Sequence, residues 1–263
     1  MGVLNVTPDS FSDGGLHYEA AAAIEAGLRM AAEGADWIDV GGESTRPGAE
    51  VVPIEEEIRR VASVIEALSL KERNVSVDTR KPQVAEAALG VGAKMVNDIS
   101  GLRDPDMLSI CARAGCQVAI MHMQGEPETM QLNPHYEDVV AEVRDYLVAQ
   151  ARRAEAAGVA RDNIWIDPGI GFGKNVGHNL LLLRHLNVLV ETGYRVLVGA
   201  SRKSFIGRVL SASSGPLPAS ERTEGTLAVH VLAQQAGAAM LRAHDVLAAR
   251  RAIDMAAAVL EAE

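Results

Sequence analysis

Val75-Ser76-Val77-Asp78-Thr79-Arg80-Lys81-Pro82-Gln83-Val84-Ala85-Glu86-Ala87-Ala88-Leu89 holds one complete unit of the fold. Residues 75–79 are a short apolar run that closes on a carboxylate, and an Ala-rich helical stretch fills 82–89. Pro82 sits in the first helical turn, where its missing N–H costs nothing. The same unit recurs along the chain. Apolar runs that end in polar or glycine residues lie at 2–7, 37–42, 95–100, 117–122, 164–168, 196–201 and 240–245. Helical stretches occupy 19–33, 54–68, 105–114, 136–157, 176–189, 223–235 and 246–260, with Pro105 at another helix start. The runs are rich in Val and Ile and apolar on both faces, as buried parallel strands are. Strands that alternate with helices make βαβ units. Eight units in 263 residues predict an α/β chain, a (β/α)8 TIM barrel, with one domain over 1–263. An open doubly wound sheet is the competing arrangement. It calls for GxGxxG after the first strand, where the chain instead reads Asn5-Val6-Thr7-Pro8-Asp9-Ser10. No linker, low-complexity tract or charge block divides the sequence.

Composition narrows the function classes. Hydrophobic residues are 48% and aromatic residues only 3%, so Ala, Val, Leu and Ile must fill the core, with the nine Met as filler. A net charge of -10 argues against a nucleic-acid partner, whose phosphates it would repel. It also requires a local cationic site for any anionic substrate. Cys111 and Cys116 have no metal-site or disulfide-framework spacing and read as buried thiols of a reducing compartment. With no span-length apolar segment and no signal-peptide pattern, a cytoplasmic protein without a membrane partner is expected.

A barrel enzyme builds its site at the C-terminal ends of its strands. Those ends carry Asn5, Asp39 with Glu43, Asp78, Asn97 with Asp98, His122, Asp167, Ser201 with Lys203, and Arg242 with His244. Each one alone could be a helix cap or a satisfied buried polar group; together they converge on one mouth. Asp78 and Asp167 can accept from the N–H groups of a flat heterocycle, and Asn97 can both donate and accept. Arg46, Lys203 and Arg242 suit a phosphate or pyrophosphate. Two loops stand out: residues 5–15, which end in a Gly pair and read as a hinged lid, and residues 41–48, where small residues flank Arg46.

The chain resembles the dihydropteroate synthase family through NVTPDSFSDGG at 5–15, GGESTRPG at 41–48, VDTRKP at 77–82, NDISG at 97–101, DPGIGFGK at 167–174, GASRKSFIG at 199–207 and RAHDV at 242–246. The segments run in the family's order and cover nearly the whole chain. The resemblance implies a TIM barrel that joins 6-hydroxymethyl-7,8-dihydropterin pyrophosphate to para-aminobenzoate. It implies a pterin pocket of Asp78, Asn97, Asp167 and Lys203 walled by Phe172 and Met121. Asp167 would take the pterin amino and ring N–H groups, and Lys203 the ring carbonyl. Asn5 would hold Mg²⁺ with the pyrophosphate, whose oxygens would meet Thr45, Arg242 and His244. Phe11, Arg46, Pro47 and Ser201 would form the para-aminobenzoate site, with Asp13 supporting the closed lid. Ala243 stands where many relatives carry Val. A homodimer is expected by the same resemblance, with residues 222–241 as a candidate face.

Two other readings share the pterin pocket: a barrel that passes a methyl group from a folate, and a pterin binder without turnover. The 41–48 loop, Lys203 and the Arg242/His244 pair discriminate against the first, because a methyl carrier has no pyrophosphate to expel. His17, His135, His178, His185 and His230 fall away from strand ends and suggest surface or packing roles. His122 ends a strand and is open between the site and a structural bond. Glu55, Glu56 and Glu57 open a helix, where negative charge suits the dipole.

Overall fold

Parallel strands cannot be joined by tight turns, so each needs a crossover, usually a helix. A computed structural model follows this alternation through residues 1–7, 15–44, 51–127, 129–211 and 215–262, the described part of the chain, with side chains described from residue 20 onward in the first helix. The strands are β1 (Gly2–Asn5), β2 (Ile38–Gly41), β3 (Val75–Asp78), β4 (Met95–Asp98), β5 (Gln117–Met121), β6 (Ile164–Asp167), β7 (Arg195–Val198) and β8 (Met240–Leu241). Each pairs in parallel with its sequence neighbour, in the order β1 to β8. Val3 N–H donates to the Ala243 carbonyl at 2.9 Å, and Ala243 N–H to the Met1 carbonyl at 2.9 Å. These bonds bring β8 beside β1 and close the sheet into a TIM barrel.

The helices are α1 (Gly15–Ala32), α2 (Ile54–Ser69), α3 (Pro82–Gly90), α4 (Pro105–Ala114), α5 (Val139–Ala156), α6 (Val176–Arg184), α7 (Asn187–Val190), α8 (Ser204–Val209), α9 (Thr223–Gln235) and α10 (Val246–Leu260). Asp104, Asp138, Asn175 and Asp245 cap the starts of α4, α5, α6 and α10 by accepting from backbone N–H groups. The read boundaries of α4, α9 and α10 agree with the structure. The stretch 136–157 starts later, at Val139, because Asp138 caps it and the Tyr136 hydroxyl is drawn to the Gly173 carbonyl at 2.8 Å. The stretch 176–189 divides into α6 and α7, and Leu182, Leu186 and Leu189 are all buried across the break. The apolar pattern gave no sign of α8. Gly207 inside it lies where a Cβ would come within 2.5 Å of the Leu217 carbonyl, a close approach that periodicity does not report.

Two cores follow from the alternation of side chains along each strand. Val40, Val77, Val96, Ile120, Ile166 and Val198 face outward and pack against helix residues such as Ile65, Leu68, Ala85 and Leu147. Each such side chain contributes about 1.5–3 kcal/mol when fully buried. Inside the barrel, Met1, Met95, Ala119, Trp165, Leu197 and Met240 form a separate plug. The expected Ala/Val/Leu/Ile core is therefore the outer shell, and Met and Trp fill the interior. The plug forces anything polar inside the barrel toward the C-terminal mouth.

Candidate active site

The strand register carries three candidate residues on one rung. Asn5 is level with Gly41, Gly41 with Asp78, and Asp78 with Asn97. One inward position below, Asp39 is fully buried and organises the floor. Its carboxylate accepts from the Ser76 hydroxyl at 2.6 Å, Asn97 Nδ2 at 2.9 Å and Arg242 Nε at 2.6 Å. Arg242 Nη2 donates to Asp78 Oδ2 at 2.7 Å. One guanidinium thus ties the ends of β2, β3 and β8 across the barrel, using two of its five N–H groups. Burial works against the Arg242 charge, yet Asp39 and Asp78 hold its pKa above the ordinary value. Burial pushes the Asp78 carboxyl up to about 7, and Arg242 opposes the rise.

Asp167 ends β6 and is pushed up to about 6, chiefly by burial. Its Oδ1 accepts the Gly169 N–H at 2.7 Å, so the carboxylate is aimed by the loop that follows it. Gly41 and Gly199 lie beside the two acids: a Cβ at either would be in ordinary van der Waals contact, 3.5–3.7 Å from the Asp78 or Asp167 side chain. Met121 clusters with Phe172, Ile99, Met123 and Met130 as an apolar wall. Lys203 Nζ lies 3.9 Å from the centroid of the Phe172 ring, a cation–π contact that fixes both. Ser201 Oγ meets His244 Nδ1 at 3.0 Å and accepts the His244 backbone N–H at 3.2 Å, tying the end of β7 to that of β8.

The structure brings Asp78, Asn97, Asp167, Lys203, Arg242, Phe172, Met121, Ser201 and His244 to the mouth through these contacts. Asn5 stands there by register with an exposed side chain. Phe11, Asp13, Thr45, Arg46 and Pro47 lie outside the described residues. Asp98, also at a strand end, spends its carboxylate on the Ser100 N–H, the Ser100 hydroxyl and the Leu102 N–H, and caps its own turn. Glu43 and Glu57 share Lys81, each at 2.6 Å, and Glu57 also accepts from the Thr79 hydroxyl at 2.7 Å. Glu57 is therefore a buried ion-pair partner and more than a helix-dipole residue, and Glu43 is an anchor at the stem of the loop after β2.

This arrangement offers buried acceptors at the base, an apolar wall on one side and cations around them. It suits a flat, nitrogen-rich ring with an anionic substituent. The family model described as "Pterin binding enzyme" matches residues 1–244. The dihydropteroate synthase of Escherichia coli K12 is 48% identical over 264 residues, covering 100% of this chain and 92% of that protein. The chain belongs to the dihydropteroate synthase family. Solved family members from Xanthomonas albilineans superpose closely. The one with 4-aminobenzoic acid has a TM-score of 0.92 and 48% identity, covering 100% of this chain and 93% of its own. The one in complex with 7,8-dihydropteroate has a TM-score of 0.89 and 46% identity, covering 100% and 94%.

Two residues that hold this family site together were given no specific role by the sequence. Asp39 appeared only as one strand-end carboxylate among several, and nothing linear marks it as the partner of Arg242, 203 positions away. Lys174 ends the DPGIGFGK run and is buried, bonded to His122 Nδ1 at 2.9 Å and to the Phe172 carbonyl at 2.9 Å. The open reading of His122 resolves to this structural bond.

Proposed function

We propose that the chain condenses 6-hydroxymethyl-7,8-dihydropterin pyrophosphate with para-aminobenzoate, releasing pyrophosphate and forming 7,8-dihydropteroate. The observation that carries this is the Arg242 bridge to Asp39 and Asp78 beside the buried Asp167 and Asn97: acceptors for a pterin edge and a cation for its leaving group share one mouth. The 48% identity to the Escherichia coli enzyme over the full chain, and the 4-aminobenzoic acid and 7,8-dihydropteroate bound by solved members, point the same way. The whole chain acts as one pterin-binding unit.

Asp167 accepts the pterin amino and ring N–H groups, Asn97 reads the adjacent edge, and Lys203 donates to the ring carbonyl. The C–O bond to pyrophosphate breaks, and the bonding pair leaves with the pyrophosphate. The electron-rich dihydropterin carries the resulting positive charge, which ionised Asp78 and Asp167 stabilise. Arg242 and His244 neutralise the departing anion, and the aromatic amine attacks the exocyclic carbon and then loses its proton. Phe11, Arg46, Pro47 and Ser201 hold para-aminobenzoate, Thr45 adds to the pyrophosphate site, and Asp13 supports the closed first loop.

Asn5 fits a magnesium site. Its exposed side-chain oxygen at the mouth is a hard donor, and Mg²⁺ characteristically takes one or two protein oxygens and fills the rest with phosphates and water. When bound there, the ion would supply charge neutralisation at the pyrophosphate. Among the described residues no helix is long and apolar enough to cross a membrane, and we place the enzyme in the cytoplasm. Exposed Leu232 on α9, inside the 222–241 stretch, offers an apolar contact for a second copy in a homodimer.

The test is product formation. The purified chain is incubated with both substrates and Mg²⁺, and the products are resolved by mass spectrometry. Dihydropteroate that disappears when the metal is chelated supports the reading. Tight pterin binding without product replaces it with a methyl-transferring or non-catalytic barrel.

A further inference from the structure

The loop from β6 to α6 is held in a way that the substrate-facing residues do not explain. Gly169, Gly171 and Gly173 all have left-handed φ, at 63°, 84° and 57°. A Cβ at Gly169 would stand 1.9 Å from the His122 carbonyl oxygen, and one at Gly173 would stand 2.5 Å from the Gln124 carbonyl oxygen. The alternating glycines let the backbone lie directly on the segment after β5. Close approach alone would leave such a chain free to slide.

Lys174 follows this run. It is 3% exposed, and its Nζ reaches three acceptors: His122 Nδ1 at 2.9 Å, the Phe172 carbonyl at 2.9 Å and the His122 carbonyl at 3.3 Å. Burial lowers the Lys174 pKa to about 7; in its ammonium form it has three N–H donors and no acceptor, so the set is matched one to one. The match requires His122 Nδ1 to be bare and its proton to sit on Nε2. The His122 ring is itself fixed, edge-on to Tyr146 at 5.0 Å and tilted against Tyr136 at 6.0 Å. Lys174 therefore fastens the carbonyl of Phe172, whose ring carries Lys203, to a rigid point at the end of β5. The same loop aims Asp167 through the Gly169 N–H.

We propose that Lys174 is a positioning residue of the pterin site: its buried ammonium pins the glycine loop to His122 and so sets where Phe172, Lys203 and Asp167 meet the pterin ring. Lys174 touches no substrate and acts through these three. The inference rests on the pterin-site reading given above.

Lys174→Met in the full chain keeps the length of the side chain and removes its three donors. The expected result is a rise of about tenfold in the KM for the pterin pyrophosphate, with the KM for para-aminobenzoate within about twofold of wild type. Calorimetry with hydroxymethyl-dihydropterin should show a matching loss of affinity. A general structural defect would raise both KM values together, and that result overturns the proposal, as does unchanged pterin affinity in the variant. Ring-nitrogen NMR of His122 in the wild-type chain gives an independent check that needs no variant. A bare Nδ1 with the proton on Nε2 is expected, and an Nδ1–H tautomer at pH 6 overturns it. Should Lys174→Met fail to fold, as judged by circular dichroism, that spectrum decides. Absence of pterin binding by the wild-type chain overturns the pterin-site reading and this inference together, whereas normal wild-type binding with no loss in the variant overturns this inference alone.

Discussion

Asp167→Asn should stabilise the protein while destroying its pterin site. Asp167 is 5% exposed, and its carboxylate accepts the Gly169 N–H. Burial raises its pKa from 3.8 to about 6, against the pull of the Gly169 N–H and the cations Lys203, Arg242 and Lys174. The folded state therefore holds its proton to higher pH than the unfolded state does. Linkage then lowers stability as pH rises from about 4 to about 6 and leaves it lowered above that. A shift of about two units corresponds to about 3 kcal/mol, an upper value because a buried amide also loses solvation. Asparagine keeps an oxygen for the Gly169 N–H and removes the charge. At pH 8 the variant should gain about 1–3 kcal/mol in urea titrations, or roughly 5 °C in Tm. At pH 4, where wild-type Asp167 is already protonated, the gain should vanish. Calorimetry on the same samples should show pterin affinity lost, because the amide keeps its one oxygen on the Gly169 N–H and turns an NH2 donor toward the pterin N–H groups. A variant less stable than wild type at pH 8, or a gain independent of pH, would refute the argument that this acid is held charged at the expense of stability.

Asp39→Asn should behave in the opposite way, although it too is a buried carboxylate. Asp39 has a cation in contact at 2.6 Å, so its removal strands part of the Arg242 charge and should lower stability by about 3 kcal/mol in urea titrations. Gly169→Ala puts a methyl group where the His122 carbonyl lies, at a φ of 63°, so the backbone must move. A stability loss above about 2 kcal/mol together with weakened pterin binding is expected, measured by thermal melts and calorimetry.

The unequal fates of these acids show what was legible in the sequence. Period and punctuation reported the barrel, because most strands are short Val/Ile runs and α3, α4, α5, α6 and α10 have a Pro, Asp or Asn at their start. They also reported which residues reach the mouth, since strand ends in a TIM barrel all point one way. They could not report pairings across the barrel. Asp39 and Arg242 are brought together only when β8 closes on β1, and no local signal distinguishes Asp39, which grips a cation, from Asp98, which caps its own turn. Lys174 was hidden for the same reason: a lysine after three glycines reads as a loop cation until His122 is placed against it. Glu57 looked like a helix-start charge because its partner Lys81 comes from the next βα unit. The interior plug was not visible in the sequence because composition averages the cores, and Met and Trp sit in the smaller one.

The most direct test of the central claim is pyrophosphate release by the purified chain. Hydroxymethyl-dihydropterin pyrophosphate and Mg²⁺ are supplied with and without para-aminobenzoate, for wild type and Arg242→Met. The account predicts release that depends on para-aminobenzoate in the wild type and falls by at least about two orders of magnitude in the variant. Release at the wild-type rate from Arg242→Met, or none from the wild type despite bound pterin, would contradict it.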